Sequence, residues 1–248
     1  MTIPPASLLA GAEPSAPDTG AGSESKRDYR ANAVQWAVFT ALLAAPARDN
    51  ARLRAFLASR REGPTAEPLT PAADVCDFSC GVALLDDALR HEAQKASSPR
   101  DDVVRSTFVA LHEGRVVAYF TQRLCFVRRA ADEAGTETDA DTVPIIQLQR
   151  LAVDRSAQGQ GVGSALLRQA VLRAESLAGR CGAPALWVPV LSSETRRFYL
   201  DRGLQPLPAI LDSLGVMLTF DTLRKASAGG AIAEDPGACA APPIPGDQ

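Results

Sequence analysis

The sequence has no excess of basic residues, which argues against a dedicated nucleic-acid-binding domain. Its 248 residues carry 26 Lys+Arg against 29 Asp+Glu, a formal net charge of −3, and the pI is about 5.5. A dedicated nucleic-acid binder usually shows a strongly basic domain. Any contact with nucleic acid is therefore expected to use a local surface.

Residues that bind metals are also scarce. His91 and His112 are the only histidines, and Cys76 and Cys80 form the one closely spaced cysteine pair. A structural zinc site needs about four ligands at recognisable spacings, so no metal site is predicted. The cysteine count is five, an odd number in a chain without a clear export signal. We therefore expect free thiols in a reducing, cytoplasmic compartment.

No apolar run approaches the ~20 residues that span a membrane, so no membrane association is expected. A late signal peptide is the competing interpretation, because Arg27 and Arg30 precede an apolar run and Ala45-Pro46-Ala47 resembles a cleavage site. Gln35 and Thr40 interrupt that run, which begins well inside the chain. This favours the cytoplasmic interpretation.

Composition divides the chain into five parts. Residues 1–29 and 226–248 are rich in small residues, Gly and Pro, and they are expected to be disordered because they cannot bury enough apolar surface. Residues 30–62 show helical spacing of apolar side chains, and 63–68 is a Pro-containing linker. The main domain is expected over 69–225, where strand and helix patterns alternate, as in a mixed α/β sheet with helices on its faces.

A glycine-rich turn is the central motif. Gln158-Gly159-Gln160-Gly161-Val162-Gly163-Ser164 follows a predicted strand and opens an amphipathic helix. The first N–H groups of a helix have no internal partner, and glycines let a diphosphate approach them closely. The spacing does not fit the dinucleotide fingerprint, and the lysine of a P-loop is missing. A merely flexible connection is the remaining alternative, and three glycines in five residues argue against it.

This region resembles the GNAT acetyltransferase superfamily. Gln158-x-x-Gly161-x-Gly163 is similar to its acetyl-CoA signature, with a Leu-Ala-Val strand before it and Arg-Phe-Tyr-x-x-x-Gly after the next strand. The resemblance implies a central mixed, mostly antiparallel sheet flanked by helices, here with an N-terminal helical extension. It also implies acetyl-CoA as the donor and no metal. The residues predicted to bind the cofactor are Leu151, Ala152, Val153, Gln158, Gly159, Gln160, Gly161, Val162, Gly163, Ser164 and Phe198.

Two roles in the chemistry follow from the same resemblance. The strand Leu151 to Val153 is expected to splay from the next strand, pair with the pantetheine arm and polarise the thioester carbonyl. Tyr199 is expected to be the acid that protonates the leaving thiolate, because similar enzymes place a tyrosine beside the cofactor sulfur. A core tyrosine with its hydroxyl at the surface is the alternative.

A second resemblance is to the GNAT toxins of bacterial toxin–antitoxin pairs, over about residues 69–221. It rests on Phe78-Ser-Cys80-Gly81-x-x-x-Leu85-Asp86-x-x-Leu89 and on Arg150-Leu-Ala-Val-Asp154. It implies acetylation of the α-amino group of aminoacyl-tRNA, a block of translation, and a homodimer. Arg123 to Cys125 replace small residues of the pattern, and the loop 129–143 is acidic. A GNAT enzyme acting on a small amine or a protein N-terminus, and an inert GNAT binding module, remain alternatives.

The N-terminal helices resemble the toxin-binding segment of the ribbon-helix-helix antitoxins that pair with such toxins. The similarity rests on Trp36-Ala-Val-Phe-Thr-Ala-Leu-Leu-Ala-Ala-Pro46 and Asn50-Ala-Arg-Leu-Arg-Ala-Phe-Leu57. It implies an antitoxin partner in trans, or a fused segment that docks on its own domain and masks the active site. An accessory helical pair that covers an apolar patch is the alternative.

Overall fold

An eight-stranded mixed sheet forms the centre of the protein. The computed structural model describes residues 28–47, 49–59, 63–96, 105–129 and 142–228. Within them, the strands are β1 (Asp28–Ala31), β2 (Ala66–Pro68), β3 (Arg105–His112), β4 (Arg115–Arg129), β5 (Thr142–Val153), β6 (Ala185–Val188), β7 (Gln205–Pro206) and β8 (Val216–Thr219).

Among the described residues, six α-helices accompany the sheet. They are α1 (Ala33–Ala44), α2 (Ala51–Ala58), α3 (Ala83–Ala96), α4 (Val162–Cys181), α5 (Ser193–Leu200) and α6 (Phe220–Ala228). No helix in the described part of the chain is both long and apolar enough to cross a membrane.

The strand order is β2-β3-β4-β5-β6-β8-β7, and β1 pairs with β4. The β1–β4 and β5–β6 pairs are parallel, and the other pairs are antiparallel. The predicted fold class, a mostly antiparallel mixed sheet flanked by helices, is therefore confirmed.

The hairpin between β3 and β4 turns at the pair Glu113-Gly114. Both residues have positive φ, 51° and 81°. Two consecutive left-handed residues are typical of the type I′ turn, whose twist matches that of the flanking strands.

Helices cover both faces of the sheet. On one face, α2, α4 and α6 share a core with β4, β5, β6 and β8, and its largest fully buried members are Leu53, Phe120, Ile146, Leu148, Leu166, Leu167, Leu186, Leu218 and Phe220. On the other face, α3 and α1 each cover a smaller apolar cluster. The side chains of β4 contribute to both cores, because successive residues of a strand point to opposite faces of the sheet.

The N-terminal segment is part of this core. Strand β1 adds to the edge of β4, with Tyr29 opposite Val127. Helix α2 buries Leu53, Phe56 and Leu57 in the main core, in contact with α6. The main domain thus covers the apolar faces of the short helices α1 and α2. Helices of this length are only marginally stable in isolation.

Three predicted boundaries need correction. Strand β1 begins at Asp28, inside the segment 1–29 that was expected to be disordered, because it gains backbone pairing with β4. Residues Ala66–Pro68 of the expected linker 63–68 form β2 against β3. Helix α6 runs to Ala228, past the expected domain end, because Leu223 and Ala226 are buried. The rest of the predicted disordered termini and most of the acidic loop lie outside the described residues.

Gly203 follows α5 and lies against Leu53 of α2. Replacing this glycine should therefore destabilise the protein. Its φ is 90°, and a Cβ there would lie 2.6 Å from the backbone nitrogen of Leu53. Gly203→Ala should lower the free energy of unfolding by about 2–5 kcal/mol, combining left-handed strain with overpacking. Urea denaturation measures this loss.

Gly114 provides the matched control. Its φ is 81°, and a Cβ there would meet nothing within 4 Å. Gly114→Ala should therefore lose only the strain term of ~1–2 kcal/mol. Equal losses for the two variants would show that α2 does not pack tightly on Gly203.

Candidate active site

The strands β5 and β6 separate in the middle of the sheet. They pair only at Ile146 with Leu186 and at Gln147 with Trp187, although β5 continues to Val153. On its other edge, β5 stays paired with β4 as far as Val153. The backbone of Leu151 to Val153 therefore has an open edge on the β6 side, and the predicted splay is confirmed.

A β-bulge marks the start of this open edge. Thr121 pairs with Arg150 and Gln122 pairs with Leu148, so Gln149 is an extra residue in β5. A bulge of this kind bends the strand that contains it and increases its twist. The irregularity thus lies where β5 turns away from β6.

The glycine-rich turn follows directly on this strand. Gly159 and Gly161 have φ values of 75° and 87°, a left-handed region that disfavours side chains. Gly161 is the N-cap of α4, and no side chain caps that helix start. Its first N–H groups are consequently available to a ligand, and the helix dipole favours an anion there. This geometry fits the diphosphate of a nucleotide cofactor.

The two glutamines of the motif use their side chains within the protein. The Gln158 side-chain amide donates to the carbonyl oxygens of Val153 and Cys80, at 2.9 and 3.0 Å. The Gln160 amide donates to the Ser156 carbonyl at 2.8 Å. These bonds hold the turn against the end of β5. We therefore interpret Gln158 as a residue that positions the turn.

Asp154 holds the loop that contains Ser79 beside the glycine-rich turn. Its carboxylate accepts hydrogen bonds from the backbone N–H of Ser79, at 2.8 Å, and from the N–H and hydroxyl of Ser156. Burial raises the pKa of Asp154, but these hydrogen bonds outweigh burial, and the net pKa is lowered. The carboxylate is thus ionised at neutral pH and holds the segment around Cys80 beside the turn.

Tyr199 lies on α5 with its side chain only 4% exposed. Its ring is edge-on to Phe198, with centroids 5.1 Å apart. Within the described residues, its hydroxyl has no hydrogen-bond partner. Burial raises the pKa of Tyr199, and the charge of Arg202 offsets part of this rise. The hydroxyl therefore carries its proton at neutral pH and is free to donate it.

Phe198 links α5 to the first turn of α4. A Cβ on Gly163 would lie 3.5 Å from Val153 and 3.7 Å from the Phe198 ring. The Arg202 guanidinium stacks over the same ring at 3.7 Å and donates to the Ser164 hydroxyl at 2.6 and 3.1 Å. The predicted residues Val153, Gly163, Ser164 and Phe198 thus meet at one junction.

One predicted residue points elsewhere. The Ala152 side chain lies in the apolar cluster with Leu89 and Tyr119, under α3. This orientation follows from strand alternation, since Leu151 and Val153 face the α4 side. The backbone of Ala152 still belongs to the open edge of β5.

Sequence reasoning assigned Ser164 to cofactor binding but missed the contacts that hold the site together. The hydrogen bonds of Asp154 to Ser79 and of Arg202 to Ser164 are examples, because each joins segments distant in sequence. A local signal existed only for Asp154, since Asp-x-Ser favours a turn in which the carboxylate accepts the N–H two residues later.

No group of three or more His, Cys, Asp and Glu side chains within the described ranges is arranged to hold a metal ion. The four described cysteines, Cys76, Cys80, Cys125 and Cys181, are free thiols.

Comparison with known proteins places this chain among acetyltransferases. The acetyltransferase (GNAT) domain family matches residues 104–205. A tRNA-acetylating toxin of Mycobacterium tuberculosis is 36% identical over 157 residues, which are 63% of this chain and 92% of that protein.

Solved structures show the same similarity. A tyrosine-to-phenylalanine mutant of the toxin AtaT, bound to acetyl-CoA and the C-terminus of the antitoxin AtaR, has 26% identity and a TM-score of 0.52, covering 67% of this chain and 98% of that one. AtaT complexed with acetyl-methionyl-tRNA shares the fold, with 24% identity and a TM-score of 0.52, covering 65% of this chain and 97% of that one.

Proposed function

Since this chain belongs to the GNAT acetyltransferase family, we propose that it transfers an acetyl group from acetyl-CoA to the α-amino group of an aminoacyl-tRNA. Blocking that amine prevents the amino acid from being used in translation, so the protein acts as a toxin in the cytoplasm. The relative in Mycobacterium tuberculosis, which carries the name tRNA-acetylating toxin, supports this substrate class.

The observation that carries the proposal is the slot between β5 and β6 beside an uncapped helix start. The N–H groups of Val162 and Gly163 lie in the first turn of α4, where a diphosphate is favoured. The open edge of β5 leads into this turn: β6 does not pair with it beyond Gln147, although the Val153 carbonyl accepts a hydrogen bond from Gln158. The other main-chain groups of this edge are placed to pair with an extended amide-containing arm. The two features together fit coenzyme A from its diphosphate to its thiol end.

Acetyl-CoA supplies a thioester whose acyl carbon an uncharged amine can attack. The protein's own contribution is to orient this group and to meet the charges that develop. Backbone N–H groups on the open edge of β5 are positioned to donate to an oxygen on which negative charge grows. An ordinary thiol has a pKa of ~8.5, so a proton donor assists the departure of the thiolate at neutral pH.

We assign that proton donor to Tyr199. Its hydroxyl carries its proton at neutral pH, as an ordinary phenol does, and burial raises its pKa further; it has no competing hydrogen bond in the described part of the chain. Phe198, its neighbour on α5, contacts the first turn of α4 beside Val153. Helix α5 thus connects the proton donor to the turn proposed to bind the diphosphate.

The proposed partner in trans is an antitoxin. AtaT binds the C-terminus of AtaR, which supports a similar pairing for this chain. We also propose that residues 30–62 regulate the enzyme in cis, in the manner of a fused antitoxin segment. The Asn50 amide donates to the Gly203 carbonyl at 2.7 Å, and the Leu204 N–H donates to the Tyr199 carbonyl at 3.2 Å. Helix α2 is thereby attached to the helix that carries the proton donor.

Loosening this attachment should raise turnover. Asn50→Ala removes both the bond to Gly203 and the N-cap of α2, so α2 should hold α5 less firmly. Asn32→Ala is the matched control, because Asn32 caps α1 in the same way. Each variant should lose about 1 kcal/mol of stability. Only Asn50→Ala should increase the rate of acetylation, and equal rates in the two variants would contradict regulation by α2.

The test of the main proposal is incubation of the full chain with labelled acetyl-CoA and charged tRNA. We expect label on the α-amino group of the esterified amino acid and growth arrest on expression. Label on free amines or protein N-termini alone would instead identify a different GNAT acceptor. Binding of acetyl-CoA without transfer to any acceptor would identify a binding module.

A further inference from the structure

A row of polar side chains crosses the sheet on the face opposite α4. Arg123 on β4 pairs with Gln147 on β5, and Gln147 pairs with Trp187 on β6. Side chains directly opposite each other on neighbouring strands lie on the same face of a sheet. Arg123, Gln147 and Trp187 therefore form one row, called here the acceptor row.

Arg123 and Gln147 lie between the two apolar clusters of this face, and Trp187 packs against the cluster under α1, edge-on to Tyr29 at 5.6 Å. The cluster under α3 includes Tyr119, two positions before Thr121 and four before Arg123 on β4. The cluster under α1 includes Cys125, two positions after Arg123. Residues two apart on a strand share a face. Along β4, the side chains on this face therefore change from apolar to polar and back to apolar. The packing of α1 and α3 on the sheet does not by itself require polar side chains between the two clusters.

The acceptor row lies at the start of the slot between β5 and β6. Gln147 and Trp187 form the last pair between β5 and β6, and beyond them the strands diverge. The proposed diphosphate site belongs to α4, on the other face. A donor held from the α4 side can therefore present its acetyl group through the slot, and an acceptor amine can meet it from the side of the acceptor row.

Among the described residues, two members of the row have hydrogen-bond donors without an acceptor. The Trp187 indole N–H is buried and has no acceptor among the described residues. A buried donor without a partner costs about 1–3 kcal/mol. The Arg123 Nε donates to the Gln147 side-chain oxygen at 2.5 Å, and within the described residues its two terminal nitrogens have no partner.

The charge of Arg123 is also uncompensated within the described part of the chain. Its partner Gln147 is a neutral amide that fixes only one edge of the guanidinium. Arg150, on the same face, lies 3.7 Å from the carboxylate of Glu92. The free fork of Arg123 matches the geometry of a carboxylate or a phosphate, each of which accepts two parallel hydrogen bonds.

We propose that the acceptor row binds the acceptor substrate, with Arg123 contacting an anionic oxygen of it and the Trp187 N–H donating to a neighbouring carbonyl. This inference rests on the proposed function, because it assigns the place of the aminoacyl end of the tRNA. The anionic oxygen belongs either to the terminal phosphates of the tRNA or to the carboxylate of an acidic aminoacyl side chain.

The test compares steady-state acetylation by the full chain and by four variants. Arg123→Gln removes the charge, Arg123→Lys keeps the charge without the fork, and Trp187→Phe keeps the ring without the N–H. Arg180→Gln removes an exposed charge from the far end of α4 as the control. The acceptors are methionyl-tRNA, glutamyl-tRNA and 3′-O-methionyl-adenosine, which has no phosphate. Circular dichroism melts verify that each variant is folded.

We expect Arg123→Gln to raise the KM for the acceptor about tenfold or more, as the loss of a hydrogen bond to a charged group predicts. The KM for acetyl-CoA should not change, Arg123→Lys should recover part of the effect, and Trp187→Phe should raise the acceptor KM by a smaller factor. A rise for both charged tRNAs but not for the nucleoside identifies a phosphate, and a rise for glutamyl-tRNA alone identifies a carboxylate.

An acceptor KM for Arg123→Gln equal to that of the wild type on all three substrates would overturn the assignment, while the proposed function would stand. If the wild type acetylates neither these three acceptors nor any other charged tRNA in a complete set, the proposed function fails and the assignment fails with it.

Discussion

Replacing Tyr199 with phenylalanine should lower kcat about 100-fold or more, because general acid catalysis contributes roughly that factor or greater. The KM for acetyl-CoA should stay unchanged, since the variant keeps the ring that packs on Phe198. Stability should also stay unchanged, because the described part of the chain offers the hydroxyl no hydrogen bond to lose. Steady-state acetylation measures kcat and the KM for acetyl-CoA, and thermal unfolding measures stability.

Tyr119 provides the matched control for this variant. It is fully buried, burial raises its pKa as it does that of Tyr199, and its hydroxyl donates to the Leu85 carbonyl at 2.7 Å. Tyr119→Phe should therefore cost about 1 kcal/mol of stability and leave turnover intact. If Tyr199→Phe retains wild-type kcat, or if both variants lose activity equally, Tyr199 is not the proton donor.

Substitution of Gly161 should separate cofactor binding from stability. Gly161 has a φ of 87° and begins α4, where valine would be strained by about 1–2 kcal/mol and would shift the following N–H groups. One lost hydrogen bond to a charged group costs ~1.5–3 kcal/mol, so the affinity of Gly161→Val for acetyl-CoA should fall about tenfold to 100-fold. Equilibrium dialysis with labelled acetyl-CoA measures it.

The other end of the same helix supplies the control. Gly182 is the C-cap of α4, with a φ of 70°, and a Cβ there would meet nothing within 4 Å. Gly182→Val should lose a similar amount of stability and keep full affinity for acetyl-CoA. Equal losses of affinity in both variants would mean that α4 acts only through its stability, and the proposed diphosphate site would be wrong.

Periodicity predicted much of the fold because the relevant patterns are local. The α4 helix, the β3–β4 hairpin and the glycine turn each have a sequence pattern that spans only neighbouring residues. Strand β4, in contrast, reaches Arg129 because β1 and β5 pair with its last residues. Such pairing depends on segments distant in sequence, so apolar periodicity does not reveal it.

The candidate site divides in the same way. Gly161, Gly163 and the strand Leu151 to Val153 could be found from a motif, because main-chain geometry there is dictated by adjacent residues. The acceptor row could not be found, since Arg123 and Trp187 are brought together only by strand register. In the sequence alone, Arg123 is only a departure from a family pattern. The strand register places it on the same face as Gln147 and Trp187, at the start of the slot.

Titration calorimetry of the full chain with acetyl-CoA tests the central claim most directly, namely that uncapped amides of the glycine turn and the open edge of β5 hold the acetyl donor. The account predicts saturable binding of one acetyl-CoA per folded chain. A folded protein that produces no binding heat at several temperatures, and that acetyl-CoA does not stabilise against thermal unfolding, would contradict it.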